Sequence, residues 1–356
     1  MPLIIEGPVP SGWQEKGKPR AVASIDSHAR GAECVSLALI NNMPDSALED
    51  TELQFFELLD AASGDVPVFL KLYSLPGIPR TERGQRHLSS FYLDFEGLWK
   101  SRFDGLIVTG TEPHHANLRD EPYWDELVNL LEWAERSTAS TVLSCLAAHA
   151  GVLHSDDIRR HSLSDKRFGV FDSRRVRDHA LTAGIPNMIR FPHSRWNEVR
   201  EDELTACGYV VLTQSSEAGV DLFAKNKKKS LFVHFQGHPE YGVQTLLKEY
   251  RRDVKRFLRR ERETYPSMPR GYFDTAATGI LGDFQQNALS DPREERMTHF
   301  PDAVVAKTLH SSWHSSAKCV YRNWLQYVLA KKADTASFAA MTSLYSGAQR
   351  KRSAVL

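Results

Sequence analysis

Residues 140–151 read STVLSCLAAHAG, a short apolar run that stops at Cys145 and resumes as a chain of small, helix-forming residues. Such a junction predicts a buried strand over 140–145 turning directly into a helix from Leu146. The same alternation repeats on both sides. Upstream, CVSLALI (34–40), VPVFLKLYSL (66–75) and FDGLIVTG (103–110) have the length and β-branched content of strands. Between them, DSALEDTELQFFELLDAA places Leu48, Leu53, Phe56 and Leu59 at helical spacing, with acidic residues in its first turns. YWDELVNLLEWAERS (123–137) sets Trp124, Leu127, Leu131 and Ala134 on one helical face. Downstream, CGYVVLTQS (207–215) and SLFVHFQGH (230–238) read as strands, and YGVQTLLKEYRRDVKRFLRRE as a helix. Strands alternating with helices predict an α/β fold, a central mostly parallel sheet covered by helices on both faces.

Residues 1–32, rich in Pro, Gly and charge, read as a partly ordered arm. The main domain is expected over 33–335. Residues 263–300 show little periodicity and read as a long loop or insertion. A last amphipathic helix is expected at 315–333, with a tail over 336–356. Lys227, Lys228 and Lys229 fit a solvated hairpin tip.

The 356 residues carry 45 basic and 45 acidic side chains, so no basic excess argues for a nucleic-acid partner. No window reaches the roughly 18 apolar residues of a membrane span. The N-terminus does not read as a secretory signal, and a cytoplasmic protein is expected. The cysteines at 34, 145, 207 and 319 are scattered, without the spacing of a disulfide framework or a metal site.

Cys145 is the first candidate for chemistry. A residue at a strand-to-helix elbow projects from a sharp turn toward free backbone N–H groups at the positive end of its helix. A buried structural cysteine is the commoner fate of this residue type. The segment FQGHPEYG (235–242) changes the balance, because His238 and Glu240 follow another strand and let a carboxylate orient an imidazole. Both segments would then lie at the carboxyl ends of strands, where open α/β sheets bind ligands.

With these stretches the chain resembles the homoserine O-acyltransferase (homoserine O-succinyltransferase) family. Shared motifs are NNMP (41–44), TELQF (51–55), FDGLIVTG, DEPYW (120–124), LEWA (131–134) and TVLSC (141–145). Others are DKRFGVF (165–171), PHSRWNEV (192–199), LFAKNKK (222–228), GHPEYGVQTLLKEYRRD (237–253) and SSWHSSAKCVYRNWLQY (311–327). The resemblance implies a class I glutamine amidotransferase-like (flavodoxin-like) fold. It also implies acyl transfer from an acyl-CoA co-substrate to L-homoserine for methionine synthesis, with no further cofactor or metal. Cys145 falls on the family's acyl-accepting nucleophile, His238 on its general base and Glu240 on the carboxylate that orients it. Lys166, Ser194, Arg195 and Arg252 fall on positions used around the substrate, with Arg252 suited to a carboxylate. Leu146 supplies an oxyanion-hole N–H, and a homodimer is implied.

The sequence also departs from the family pattern. MPDSALEDTE is two residues longer between MP and TE. His114 stands at the position associated with acyl choice, where Gly accompanies succinyl and Glu acetyl; a protonated His pairs with a succinyl carboxylate, so succinyl is the favoured donor. The insertion leaves room for serine as acceptor. A glutaminase on the same fold is the other alternative, against which stands the elbow Leu143-Ser144-Cys145-Leu146-Ala147, without the flanking glycines of G-x-C-x-G.

Overall fold

The computed structural model describes residues 3–14 and 33–353. Its first half runs β1 (Leu3–Ile5), α1 (Ser11–Gln14), β2 (Val35–Ile40), α2 (Leu48–Ser63), β3 (Val68–Tyr73), α3 (Glu82–Phe91), α4 (Glu96–Trp99), β4 (Gly105–Val108), α5 (Trp124–Ser137), β5 (Ser140–Ser144) and α6 (Leu146–Asp156). The second half runs β6 (His161–Arg175), β7 (Met188–Glu198), α7 (Glu201–Ala206), β8 (Val210–Val211), β9 (Thr213–Ser215), β10 (Gly219–Val220), β11 (Leu222–Lys227) and β12 (Ser230–Phe235). It closes with α8 (Thr245–Leu258), α9 (Thr275–Ser290), α10 (Asp302–Val305) and α11 (His314–Ser353).

Among the described residues eight strands form the main sheet, in the order β1-β3-β2-β4-β5-β12-β11-β8. Pairing is parallel from β1 to β12 and antiparallel for the last two strands. The period-2 pattern of the strands explains the layers. Val35, Leu37 and Leu39 of β2 enter one apolar core with Phe55, Phe56 and Leu59 of α2 and Trp324 of α11. Ala38 and Ile40 enter another, with Leu127, Leu130 and Leu131 of α5 and Ala147 of α6. The expected α/β architecture, helices on both faces of a mostly parallel sheet, is what forms.

Several local expectations change. Residues 3–5 of the expected arm add an edge strand to the sheet through β3, and 15–32 lie outside the described residues. Residues 207–215 are not one strand: the chain breaks at Leu212, so that β8 edges the main sheet while β9 joins a second one. That second sheet, β10-β9-β6-β7, is antiparallel and was not expected. Its longest strand, β6, carries polar residues on both faces of its first half, which hides the alternation. The 263–300 segment is no continuous loop. It contains α9, capped by Asp274, whose Oδ1 accepts the Ala277 N–H at 2.7 Å, and burying Ala277, Leu281, Phe284 and Ala288. Two glycines and small residues weaken its helical signature. The backbone of α11 continues through most of the expected tail, to Ser353. The lysine hairpin rests on α5: Lys228 Nζ lies 2.8 Å from Glu135, and Lys227 is largely covered.

Candidate active site

The parallel register of β5 with β12 pairs Ser144 with Phe235. The residues that follow these two strands therefore emerge side by side at their carboxyl ends. The Cys145 N–H donates to the Phe235 carbonyl at 2.7 Å, locking the two exits together. Cys145 itself adopts φ 53° and ψ −111°, a conformation unfavourable for a side-chain-bearing residue and typical of a nucleophile elbow. It is half-exposed, whereas His238 and Glu240 are buried.

His238 Nδ1 and Glu240 Oε1 are 2.8 Å apart, and Cys145 acts on the same imidazole as a raising influence on its pKa. Burial alone would lower the His238 pKa. Cys145 and Glu240 outweigh it and hold the imidazole well above its ordinary range. Ser144 Oγ donates to Glu240 Oε1 at 3.2 Å, a support the sequence did not reveal. The loop after β4 closes the other side. A β-carbon on Gly110 would lie 2.9 Å from the Leu146 nitrogen, so only glycine brings this backbone so close to the first N–H groups of α6. As the first helical residue, Leu146 has no intrahelical acceptor for its N–H.

Beside the triad is a polar cluster built on one face of α8. Glu249, Arg252, Asp253 and Arg256 recur at helical spacing. Ser194 Oγ donates to Glu249 Oε2, the Tyr241 hydroxyl donates to Glu249 Oε1 at 2.6 Å, and Lys166 Nζ stands 3.6 Å from Oε2. Lys166 and Arg252 each also lie 3.1 Å from Asp253. Those pairs hold the Asp253 carboxyl below its usual range against the opposing effect of burial. Tyr241 connects cluster and triad, its ring stacked on His238 at 4.2 Å. Lys166, Ser194 and Arg252 thus converge as the sequence suggested, but Glu249 and Tyr241 were missed. The signal was available in the i, i+3, i+4 spacing of charges along EYRRDVKR.

Two other expected residues are not part of this cluster. Consecutive strand residues point to opposite faces, so with Ser194 aimed at α8, Arg195 points the other way. Its buried guanidinium donates to Asn197 O at 2.7 Å, to Ala218 O and to His193 Nδ1 at 3.3 Å. His114 is exposed, with its N–H and that of His115 both bound to Glu121 Oε1 at 2.7 Å. It does not line the small, largely apolar pocket beside Leu146, formed by Asn42, Thr109, Tyr123, Leu127, Ala147 and neighbours. Among the described residues no group of three or more His, Cys, Asp or Glu side chains is arranged for a metal ion, and no helix is long and apolar enough to cross a membrane.

The sequence model of the homoserine O-succinyltransferase family matches residues 20–335. The chain belongs to the homoserine O-succinyltransferase family. A homoserine O-succinyltransferase of Rhodopseudomonas palustris is 43% identical, covering 86% of this chain and 93% of the relative. One from Bradyrhizobium japonicum is also 43% identical, over 86% and 94%. Among solved structures, a glutamine amidotransferase from Methylobacillus flagellatus shows a distant likeness, with TM-score 0.47 and 13% identity over 83% of this chain and 95% of that one. In this member of the homoserine O-succinyltransferase family the triad and the α8 cluster lie at the same end of the sheet, bridged by Tyr241.

Proposed function

We propose that this protein transfers an acyl group, succinyl in preference to acetyl, from an acyl-CoA to the hydroxyl of L-homoserine by way of an acyl-cysteine. The product is an O-acylhomoserine for methionine synthesis. The observation that carries this reading is the bridge formed by Tyr241, which sets a Cys-His-Glu line against a cluster carrying both the cations and the carboxylates that an amino acid's charged groups call for. Family membership agrees with it.

In the first half-reaction His238 takes the Cys145 proton, and sulfur attacks the thioester carbonyl. The new oxyanion sits against the backbone N–H groups of Leu146 and the loop after Gly110. Coenzyme A leaves as its thiol, taking the proton back from His238, which is neutral again for the second half-reaction. The acyl chain extends from Cys145 toward the apolar pocket beside Leu146. In the second half-reaction homoserine docks on the α8 cluster, its carboxylate on Arg252 and Lys166 and its ammonium on Glu249. His238, oriented by Glu240, draws off the hydroxyl proton, and the hydroxyl oxygen attacks the acyl-cysteine. This reading makes the protein a cytoplasmic enzyme of small molecules and a homodimer, the latter open to sedimentation analysis.

The test is intact-protein mass spectrometry after brief exposure to succinyl-CoA or acetyl-CoA. A mass gain of one acyl group, larger with the succinyl donor, absent in Cys145→Ala and discharged by homoserine, is the expected result. Absence of any adduct, with no coenzyme A released at steady state, would remove the acyl-transfer reading. Faster discharge by serine than by homoserine would reassign the acceptor.

A further inference from the structure

A second carboxylate lies behind the His238 loop. Asp221, between β10 and β11, is fully buried. Its Oδ1 accepts the Gly237 N–H at 2.9 Å, and its backbone carbonyl accepts the Gln236 N–H at 2.9 Å. Gly237 immediately precedes His238, whose own N–H is held by Pro192 O at 2.7 Å. The fit is close, for a β-carbon on Gly237 would stand 2.7 Å from Asp221 Oδ1 and 2.9 Å from Pro192 O. Among the described residues Asp221 Oδ2 has no protein partner.

The groups facing Asp221 come from two elements. From β7, His193 Nε2 lies 3.6 Å from Oδ1, with Arg195 behind it. Because the Arg195 Nε–H can only donate, His193 Nδ1 is the acceptor, and in the neutral ring Nε2 carries the hydrogen toward Asp221. Burial and the Arg195 charge keep His193 neutral. From the loop after β12 come His238 and Glu240, whose fields reach the same carboxylate. Burial raises the Asp221 pKa to about 6, which leaves it mainly ionised at neutral pH.

The two half-reactions differ in what faces His238. In the first, the imidazolium forms beside the Cys145 thiolate, its natural counter-ion. In the second, sulfur carries the acyl group and no charge. The homoserine oxygen bonds to the thioester carbon while its proton moves to His238 Nε2. The carbon–sulfur bond then breaks, and sulfur recovers the proton. During that step the thiolate is gone: the oxyanion of the tetrahedral intermediate is held by backbone N–H groups, and the carboxylates are the fixed charges left to balance the imidazolium. We propose that Asp221 is a positioning residue for His238: it fixes the Gly237 amide and supplies the negative field that sustains the imidazolium once Cys145 is acylated. This rests on the acyl-transfer reading above and assigns Arg195 and His193 to holding Asp221.

Asp221→Asn keeps an oxygen for the Gly237 amide and removes the charge. Rapid-quench mass spectrometry would follow acyl-enzyme formation from succinyl-CoA, then its discharge by homoserine. The expected result is formation at close to the wild-type rate with discharge slowed roughly 10–100-fold, less than the ~10⁴-fold lost when the directly bonded orienting carboxylate of a serine-protease triad is amidated. Equal slowing of both steps, the mark of a merely structural role, or slowing of neither overturns the proposal while a wild-type acyl-enzyme leaves the acyl-transfer reading standing. Absence of any wild-type acyl-enzyme overturns both. Should Asp221→Asn fail to fold, Asp221→Ser, neutral and smaller with a hydroxyl acceptor, carries the same expectation.

Discussion

The backbone of Cys145 holds an unfavourable conformation at the point where β5 becomes α6, and its neighbours account for that strain being tolerated. The Cys145 N–H is tied to Phe235, and Ser144 on one side reaches the carboxylate that orients His238. Glu240 is therefore held twice, by Ser144 and by His238. Its charge is one of the influences that raise the imidazole pKa. Glu240→Gln removes that charge and lets the amide favour the wrong tautomer. The expected outcome is a fall in kcat of about 10²–10⁴-fold with little change in KM. The acid limb of the rate profile should move to lower pH, since the general base His238 loses a group that favours its protonated form. A pH series of kcat/KM checks both; an unmoved limb would mean that Glu240 does not act on the imidazole electrostatically.

At the scale of elements, the site is made where ends meet: the exits of β4, β5 and β12, the first turn of α6 and one face of α8. The contact between the β4 loop and α6 is backbone against backbone at Gly110. Gly110→Ala places a methyl where the Leu146 nitrogen cannot yield without moving the helix start. Turnover is expected to fall about 10²-fold through displaced oxyanion donors, with the thermal midpoint much less affected. Wild-type turnover in this variant would show that the loop does not shape the hole. The elements that meet here were legible to different degrees. The elbow and the β12 exit could be read because apolar runs and turn residues act over a few neighbours. The second sheet could not, because the first half of β6 faces solvent or the site on both sides and shows no period. Arg195 departs from the Ser194 grouping for a related reason: matching motifs identify a strand, but only its register shows that Ser194 faces the α8 cluster and Arg195 the interior. His114 likewise occupies a matching position in a loop whose path is set by the buried Glu121, a distant constraint invisible in local sequence.

For the molecule as a whole, buried histidines decide how it meets acid. His149 and His234 are pushed down to about 3 by burial, and His193 lies well below its ordinary value for the same reason. Each is neutral in the folded state, whereas the unfolded chain takes up a proton near 6.5. The stability they contribute is present above that pH and is lost as pH falls from about 6.5 toward 3. Each neutral histidine removes about 1.4 kcal/mol per pH unit in that window. Asp221 acts in the opposite sense, since its raised pKa favours the folded state as pH drops through about 6. One carboxyl does not offset three histidines. His234 permits a clean test, being remote from the triad chemistry and stacked on the Phe223 ring at 4.7 Å, with Tyr209 edge-on at 5.4 Å. His234→Phe places a ring of similar shape in an aromatic nest and removes one proton-binding site of the unfolded chain. Unfolding free energies from urea titrations at pH 7 and pH 5 should therefore differ less in the variant than in the wild type, by about 2 kcal/mol. The physical reason is that the wild-type unfolded state gains a proton at position 234 that the folded state refuses. If both proteins lose the same stability over that interval, His234 is protonated within the fold, and the acid sensitivity must be sought in His149 and His193.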